Sequence, residues 1–346
     1  MSKLTDRLRA WSRSKSVSAA KPIRWGILGT GHIARQFAGD LRHAAGANLV
    51  AVGSRSQASA DEFGGKFGVA NRHASYEALA ADPNVDVVYV ATPHPYHSAN
   101  TLMCLDAGKA VLCEKPFAIN ENEVRGMITA AQDRKLFLME AMWTYCFPAI
   151  RKVKELIESG AIGEPRMAMG AFGFRIDWDE STAVLNRELG GGALLDVGVY
   201  PISIAHLVFG GEPETIQASA HIGTTGVDEQ NGIVMTYPGG GMAMVASAVR
   251  TAMPEEIVIA GTEAQIHIPE PFYSPNRLVI VRNGSRDEVL KCPYLGTGMQ
   301  YEAEEVMNCL RARASESALV PHEGSLAVMR TLDRIRDQWG LRYPGE

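Results

Sequence analysis

Ile23-Arg-Trp-Gly-Ile-Leu-Gly-Thr-Gly-His-Ile-Ala34 is the stretch that decides the fold. An apolar run of strand length leads into Gly29-Thr30-Gly31-His32-Ile33-Ala34, and a pattern of helical period follows. In that setting Gly-x-Gly-x-x-Ala is the strand-turn-helix that receives a dinucleotide; outside it the string would be an ordinary turn. Each small residue has its own reason. Gly29 permits the tight turn, Gly31 lets backbone amides approach a pyrophosphate, and Ala34 allows the helix to pack closely on the strand. The helix N-terminus then faces the anion, with Thr30, His32 and Ile33 beside it as candidate contacts.

The alternation continues outward from there. Strand-like runs recur at Asn48 to Ser54, Val85 to Thr92, Ala110 to Lys115 and Leu136 to Ala141, with helical stretches at Ala58 to Phe67, His97 to Ala107 and Glu121 to Asp133. Asn120 and Glu123 offer a capping box for the last of these. Strands and helices in alternation predict βαβ units, so residues 22–145 read as an α/β Rossmann domain with a doubly wound parallel sheet. A helix over Pro148 to Ser159, stopped by Gly160, ends this pattern. From Glu164 onward strand-like runs follow one another across short Gly, Pro and Asn turns, which predicts antiparallel pairing. Residues 146–346 are therefore expected to form an α+β substrate and oligomerisation domain with a large open, mostly antiparallel sheet. A helix beginning near Gly192 interrupts the strands. Two more follow, over Tyr301 to Arg313 and Ser325 to Trp339, the second placed to pack back on the Rossmann domain.

Composition narrows the function. Hydrophobic residues are 46% and charged residues 21%, proportions that exclude a disordered or fibrous chain. With 34 basic against 39 acidic residues and a formal charge of -5, no global basic field exists for nucleic acid or anionic lipid, so neither kind of partner is expected. No uninterrupted apolar run reaches the ~18 residues of a membrane helix. Cys104, Cys113, Cys146, Cys292 and Cys309 are scattered and contain no Cys-x-x-Cys, so neither a disulfide framework nor a metal site is expected and a cytoplasmic location fits. Residues 1–21 form a basic leader carrying six basic residues against Asp6; a solvated tail explains it more simply than an organelle signal does.

Three further motifs stand where strand ends would meet a ligand. The second strand ends in Gly53-Ser54-Arg55-Ser56, the place where an NAD-binding protein keeps a carboxylate for the ribose 2′-hydroxyl. Here that carboxylate is missing. Ser54 and Arg55 suit a 2′-phosphate, because a guanidinium makes paired, charge-assisted bonds to phosphate oxygens, so NADP is the expected cofactor and NAD the alternative. The bland reading is a solvated loop arginine. Cys113-Glu114-Lys115-Pro116 ends a buried strand, and carboxyl ends of strands in open α/β sheets face the ligand crevice. A lone lysine there is usually a surface group. Pro116, together with Thr92-Pro93-His94-Pro95-Tyr96-His97 at the end of the preceding strand, raises its standing, and either X-Pro bond is a candidate for cis. Lastly, Asp196 and Tyr200 in Gly190-Gly-Gly-Ala-Leu-Leu-Asp-Val-Gly-Val-Tyr-Pro201 stand at i and i+4 on one helical face. A tyrosine with a pKa near 10 exchanges protons poorly at neutral pH, and a neighbouring Lys115 would lower it. Alone, the two residues read equally as a satisfied pair at a domain interface.

Taken in order, ILGTGHIA, ATPHPYH, CEKP, MEAMWT and LLDVGVYP resemble the glucose-fructose oxidoreductase, inositol dehydrogenase and MocA-like family, from about Ile23 to the last helix. Glu-Lys-Pro combined with the later Asp and Tyr is the specific part of that resemblance; the nucleotide loop is common to many families. Met139 to Thr144 and Leu194 to Pro201 look most like the branch of dimeric dihydrodiol dehydrogenases and NADP-dependent D-xylose 1-dehydrogenases, with Tyr rather than His four residues after the Asp. The resemblance implies that Lys115 and Tyr200 are the catalytic pair and that Asp196 orients substrate or tyrosine. It also implies that Arg55 reads the 2′-phosphate, that Trp143 and His97 line the nicotinamide end of the cleft, and that Thr92, Pro93 and Glu114 join the cofactor contacts. One departure stands out. Where the branch continues with Arg and an aromatic residue after Trp143-Thr144, this chain has Tyr145-Cys146-Phe147-Pro148. Arg175 and Asp177 are the expected substitutes in contacting substrate, with solvated loop charges as the alternative.

The expected activity is therefore hydride transfer between nicotinamide and a sugar, cyclic polyol or vicinal diol, with Tyr200 and Lys115 as the acid-base pair. Two rivals remain on the same fold: an NAD-dependent glycosidase that uses hydride transfer transiently, and a non-catalytic sensor of nucleotide or sugar. Lys115, Asp196 and Tyr200 together argue against the sensor, which needs no acid-base pair. Apolar runs in the second sheet predict a homodimer or larger assembly.

Overall fold

Val87–Val90 is buried along its whole length because it lies at the centre of a sheet with helices on both faces. In the computed structural model, which describes residues 21–346, this strand is β4 of a six-stranded parallel sheet. The others are β1 (Ile23–Leu28), β2 (Ala47–Gly53), β3 (Asn71–His73), β5 (Ala110–Glu114) and β6 (Leu138–Ala141), in the order β3-β2-β1-β4-β5-β6. The strand order reverses between β1 and β4, which opens a crevice beyond their carboxyl ends. Helix α1 (His32–Leu41) is pinned over this point by Phe37, whose ring stacks on Tyr89 of β4 at 3.9 Å and meets Trp25 of β1 at 5.4 Å. The outer layers are α2 (Gln57–Phe67), α3 (Tyr76–Ala80), α4 (His97–Asp106) and α5 (Glu121–Arg134). Asn120 caps α5 by accepting from Glu123 N at 3.0 Å, while Glu123 reaches back to Ile119 N at 3.3 Å, one residue beyond the N-cap amide of a regular capping box.

After α6 (Pro148–Glu158) the chain builds an open eight-stranded sheet, mostly antiparallel as expected. Its strands are β7 (Pro165–Gly173), β8 (Thr215–Ile222), β9 (Asp228–Thr236), β10 (Met242–Ala248), β11 (Ile257–Gly261), β12 (Gln265–Ile268), β13 (Arg277–Val281) and β14 (Glu288–Lys291). They lie in the order β14-β13-β12-β11-β7-β10-β9-β8, with β7 and β10 parallel. Helices α7 (Val199–Phe209), α8 (Gln300–Ala312) and α9 (His322–Trp339) complete the described elements. Helix α9 joins the two sheets: His322 Nε2 donates to Leu138 O of β6 at 2.8 Å, and Gln338 Oε1 accepts from Ala218 N of β8 at 3.0 Å.

Several elements differ from the sequence reading. β3, α3 and β14 are too short to show a period, and β11 ends at Gly261, which packs on Ile162, where an added Cβ would lie 2.1 Å from the carbonyl oxygen. The helix placed near Gly192 begins as a π-helical turn, Leu194–Gly198, before α7. Arg187–Phe209 is apolar enough over its length to match a membrane span in composition, yet 83% of that window is buried inside the protein. The basic leader, apart from Lys21, lies outside the described residues.

Candidate active site

The turn after β5 is held from three sides. Lys115-Pro116 is cis, whereas Thr92-Pro93 is not. Glu114 points into the interior, where its Oε1 accepts from Tyr89 Oη and its Oε2 from Lys115 N at 3.0 Å. Glu140 of β6 accepts from Phe117 N at 3.1 Å and from Ser325 Oγ of α9 at 2.5 Å. His97 is fully buried, with Nδ1 2.9 Å from Pro116 O and Nε2 2.8 Å from Thr92 O. Two expectations change as a result. His97 does not line the nicotinamide end of the cleft; it ties the two strand-end turns together. Glu114 has both oxygens committed within the protein and supports the Lys115 backbone instead of reaching outward.

Facing this turn is the π-helical segment. Gly192 has φ +116° and packs on Asp228, which accepts from Leu194 N at 2.8 Å and so satisfies an amide at the start of the segment. The wider turn offers the Asp196 carbonyl to Lys115: Nζ donates to Asp196 O at 2.6 Å and to Asp196 Oδ1 at 3.3 Å. The same ammonium lies over the Tyr200 ring, 5.1 Å from its centroid. Trp143 Nε1 donates to Tyr200 Oη at 3.0 Å. Phe172 of β7 and Tyr273 add an aromatic wall, stacked on each other at 4.5 Å and lying 5.6 and 5.9 Å from the Tyr200 ring. Lys115, Asp196, Tyr200 and Trp143, expected from three separate motifs, therefore form one cluster.

Electrostatics divide the pair in a way the sequence reading does not. Burial alone would lower the Lys115 pKa, but Tyr200, Asp196 and Glu114 around it outweigh that and raise it, so the ammonium stays charged. For Tyr200 burial prevails. The phenol is pushed up to about 12, with Lys115 offsetting only part of the rise, so the lowered value expected beside the lysine is not what the free protein has. Tyr200 is a protonated hydroxyl at neutral pH. His94, half-buried at the rim, has its pKa pushed down to about 3 by burial and by His97 and Lys115, and its Nδ1 donates to Gly190 O at 3.1 Å.

The nucleotide end is built to receive an anion. Gly29 has φ +108°, and an added Cβ would lie 2.6 Å from Ala91 O, so only glycine fits the turn. At Gly31 an added Cβ would meet nothing within 4 Å, and α1 has no side-chain cap. Open space and uncapped helix amides at one point match a pyrophosphate. Ala34 is fully buried against the sheet, while His32 is exposed and Thr30 and Ile33 are half-buried beside the turn. Ser54 is buried at the end of β2 and Arg55 is exposed, with no salt bridge among the described residues. Ser56 caps α2 by accepting from Ser59 N at 3.2 Å, so the Arg55 cation stands just before a helix N-terminus. Thr92 Oγ1 accepts from Asn100 Nδ2 at 3.1 Å, and Pro93 is exposed above it.

Arg175 and Asp177 are not part of the cluster. They pair with each other at 3.6 Å beyond the end of β7, with side chains 63% and 93% exposed. The sequence reading missed His94, Glu140, Phe172 and Tyr273. His94 was visible inside the Thr92 to His97 motif, and Phe172 in the alternation of its strand. Tyr273 lies in a loop whose path no period reveals.

Comparison with known proteins gives consistent matches over both halves. Residues 23–142 match the oxidoreductase family with an NAD-binding Rossmann fold, and residues 150–267 match the GFO/IDH/MocA C-terminal domain. The chain is 38% identical over 339 residues to mouse (Mus musculus) trans-1,2-dihydrobenzene-1,2-diol dehydrogenase, covering 93% of this chain and 98% of the relative. It is 39% identical over 331 residues to the protein of that name from Danio rerio, with the same coverage. Among solved structures, a 3-ketoreductase from Actinomadura kijaniata in complex with NADP and TDP-benzene superposes with a TM-score of 0.82 at 26% identity, covering 92% of this chain and 98% of that one. An aldose-aldose oxidoreductase from Caulobacter crescentus shares the fold, with a TM-score of 0.85 at 24% identity over 92% of this chain and 98% of that one.

Proposed function

We propose that this chain, which belongs to the GFO/IDH/MocA oxidoreductase family, uses NADP in preference to NAD and oxidises a cyclic vicinal diol at one carbinol carbon. That it is an NAD(P)-binding oxidoreductase follows from the family; the cofactor preference and the substrate are our reading. The observation that carries it is the single cluster in which the Lys115 ammonium covers the Tyr200 ring while Trp143 holds the Tyr200 hydroxyl. Relatives named for a dihydrobenzenediol and the aromatic wall of Phe172 and Tyr273 support a flat cyclic diol over an open-chain one. Ser54 and Arg55 in place of an acidic residue support NADP.

NADP, when bound, supplies the nicotinamide carbon that accepts hydride. The chain's own residues handle the proton. In ketone reduction Tyr200 Oη gives a proton to the forming alkoxide, and in diol oxidation the same oxygen, as tyrosinate, receives the proton of the hydroxyl being oxidised. Lys115 lowers the cost of the tyrosinate and of negative charge on the substrate oxygen. Asp196 fixes the ammonium over the ring. Assembly belongs to the same reading: a second copy of the chain covers the open face of the second sheet, where Met169 and Met244 stand exposed on adjacent strands. A monomer mass by light scattering at micromolar concentration would remove that part.

The test is absorbance at 340 nm with each cofactor against trans-1,2-dihydrobenzene-1,2-diol, inositols, pentoses and hexoses. The expected result is turnover of the diol with a kcat/KM at least about tenfold higher with NADP than with NAD, the size of one phosphate contact. An aldose preference would move the substrate, an NAD preference would remove the cofactor assignment, and tight NADP binding without any turnover would favour a sensor.

A further inference from the structure

Tyr200 reaches its place through Gly190-Gly191-Gly192, a run with little conformational preference of its own. In the folded protein that run is gripped on both sides. From the nucleotide-binding half, His94 Nδ1 donates to Gly190 O at 3.1 Å, and an added Cβ on Gly190 would lie 2.8 Å from Ile119 Cδ1. From the other side comes the segment after α9. Tyr343, 2% exposed, donates from Oη to Gly191 O at 2.6 Å.

That segment is itself anchored to the turn carrying Lys115. Glu346 Oε2 accepts from Arg336 at 2.7 Å and from Tyr343 N at 2.7 Å; its Oε1 accepts from Arg336 at 2.8 Å and from Asn120 Nδ2 at 3.2 Å. Arg336, 2% exposed, also donates to Ile119 O at 3.1 Å and lies over the Tyr343 ring, 5.1 Å from its centroid. A short chain of contacts thus runs from Ile119, four residues after Lys115, through Arg336 and Tyr343 to Gly191, five residues before Asp196.

We propose that residues 341–346 form a latch that sets the placement of Tyr200 against Lys115, with Tyr343 and Glu346 as positioning residues. This rests on reading Lys115 and Tyr200 as the proton-handling pair. Reacting groups displaced by about 1 Å lose up to about 100-fold in rate. The amides of Gly190, Gly191 and Gly192 are tied locally, to Arg187 O, Asn186 O and Val184 O at 3.1, 3.0 and 2.8 Å, so the two bonds to the Gly190 and Gly191 carbonyls are what fix this local turn against the rest of the protein, and their loss is where such a displacement enters.

The experiment uses the full chain with NADP and trans-1,2-dihydrobenzene-1,2-diol. Tyr343→Phe keeps the ring under Arg336 and removes the bond to Gly191; Glu346→Gln keeps shape and removes charge. For Tyr343→Phe we expect kcat to fall about 3- to 30-fold, with the dissociation constant for NADP within about twofold. The primary deuterium isotope effect rises as the chemical step slows. The alkaline limb of kcat shifts upward, because the titratable groups facing Tyr200 are Glu114 at the end of β5, Lys115 in the turn after it, Asp196 from its own segment and Tyr273 from its loop, and among these Lys115 alone favours the tyrosinate, beside the hydrogen bond from Trp143. Glu346→Gln gives the same pattern at smaller size and decides the matter if Tyr343→Phe does not fold. A lowered melting temperature with unchanged kcat, isotope effect and pH profile makes the segment merely structural and overturns the latch. A parallel Tyr200→Phe arm separates the two failures: if that variant keeps its activity the proton-handling pair is wrong, whereas an inactive Tyr200→Phe beside a wild-type Tyr343→Phe removes only the latch.

Discussion

The two ends of the nucleotide crevice are built on opposite plans. At the Gly29 to Arg55 end, donors are left without protein partners: α1 has no side-chain cap, an added Cβ at Gly31 would meet open space, and the Arg55 cation is exposed. At the Lys115 to Tyr200 end nearly every polar group is already bonded, from Lys115 on Asp196 to Trp143 on Tyr200 and His97 between two carbonyls. On the proposed function, the difference separates ligand binding from chemistry. An end with idle donors gains its bonds when an anion arrives. An end with its bonds in place has met the cost of orientation during folding, so little reorganisation remains for the reaction.

The largest effect should come from the closed end. Tyr200→Phe keeps the ring under Lys115 and removes only the hydroxyl that Trp143 holds. We expect kcat for diol oxidation to fall ~10²- to 10⁴-fold, the usual worth of a positioned proton-transfer group, with NADP affinity within about twofold. A phenol pushed up to about 12 by burial also makes wild-type oxidation speed up with rising pH, since more tyrosinate is present to receive the proton. Steady-state kinetics from pH 6 to about 10 test both. A loss under about tenfold in Tyr200→Phe would assign the proton to another group and erase the contrast between the ends.

The open end predicts a smaller and more selective change. Arg55→Ala removes a cation that makes no salt bridge among the described residues, so the fold should not register it. KM for NADP should rise about 10- to 100-fold, the range for hydrogen bonds to a charged group, while KM for NAD stays within about twofold. An NADP to NAD ratio unchanged by the substitution would place the 2′-phosphate elsewhere.

Legibility follows the same division. The parallel sheet of the Rossmann domain and five of its strands were readable because buried parallel strands show as apolar runs and the Gly29 to Ala34 turn punctuates the first of them. Lys115, Asp196 and Tyr200 were readable because a strand end and helical spacing put them on the crevice side, whereas Trp143 came only from the family resemblance. What could not be read is how these groups are held. The π-helical turn that frees the Asp196 carbonyl depends on Asp228, 32 residues further on. His97 was expected in the cleft from the family resemblance, which does not say which way its ring turns here; Pro116 and Thr92 decide that. Arg175 and Asp177 failed for a related reason, since a charged pair near a strand end reads the same in either direction and here it faces solvent. The Tyr200 pKa moved opposite to expectation because spacing reveals the neighbouring cation but not the depth of burial.

The third effect, read in stability and not in turnover, probes what the closed end costs. Glu140, 5% exposed behind the Lys115 turn, is pushed up to about 7 by burial, even though Ser325 and Phe117 N–H favour its ionised form. In the unfolded chain a glutamate titrates near 4.3. Between those values the folded state binds the proton more tightly, so the contribution of Glu140 to stability is complete below about pH 4 and declines as pH rises, reaching its floor above pH 7. At 1.36 kcal/mol per unit, the decline is at most about 4 kcal/mol, or several degrees in Tm for a chain of this size. Glu140→Gln retains the geometry, its carbonyl accepting from Phe117 N and its amide donating to Ser325 Oγ, and has no proton to lose. Other buried acids such as Asp228, also pushed up to about 7, titrate alike in both proteins, so the difference between the two Tm curves isolates Glu140. Thermal melts from pH 5 to 8 should show wild type losing more than the variant, with the curves converging at the acid end. Parallel curves would mean that Glu140 stays ionised throughout, and the catalytic turn would then rest on a charge that its surroundings do not penalise.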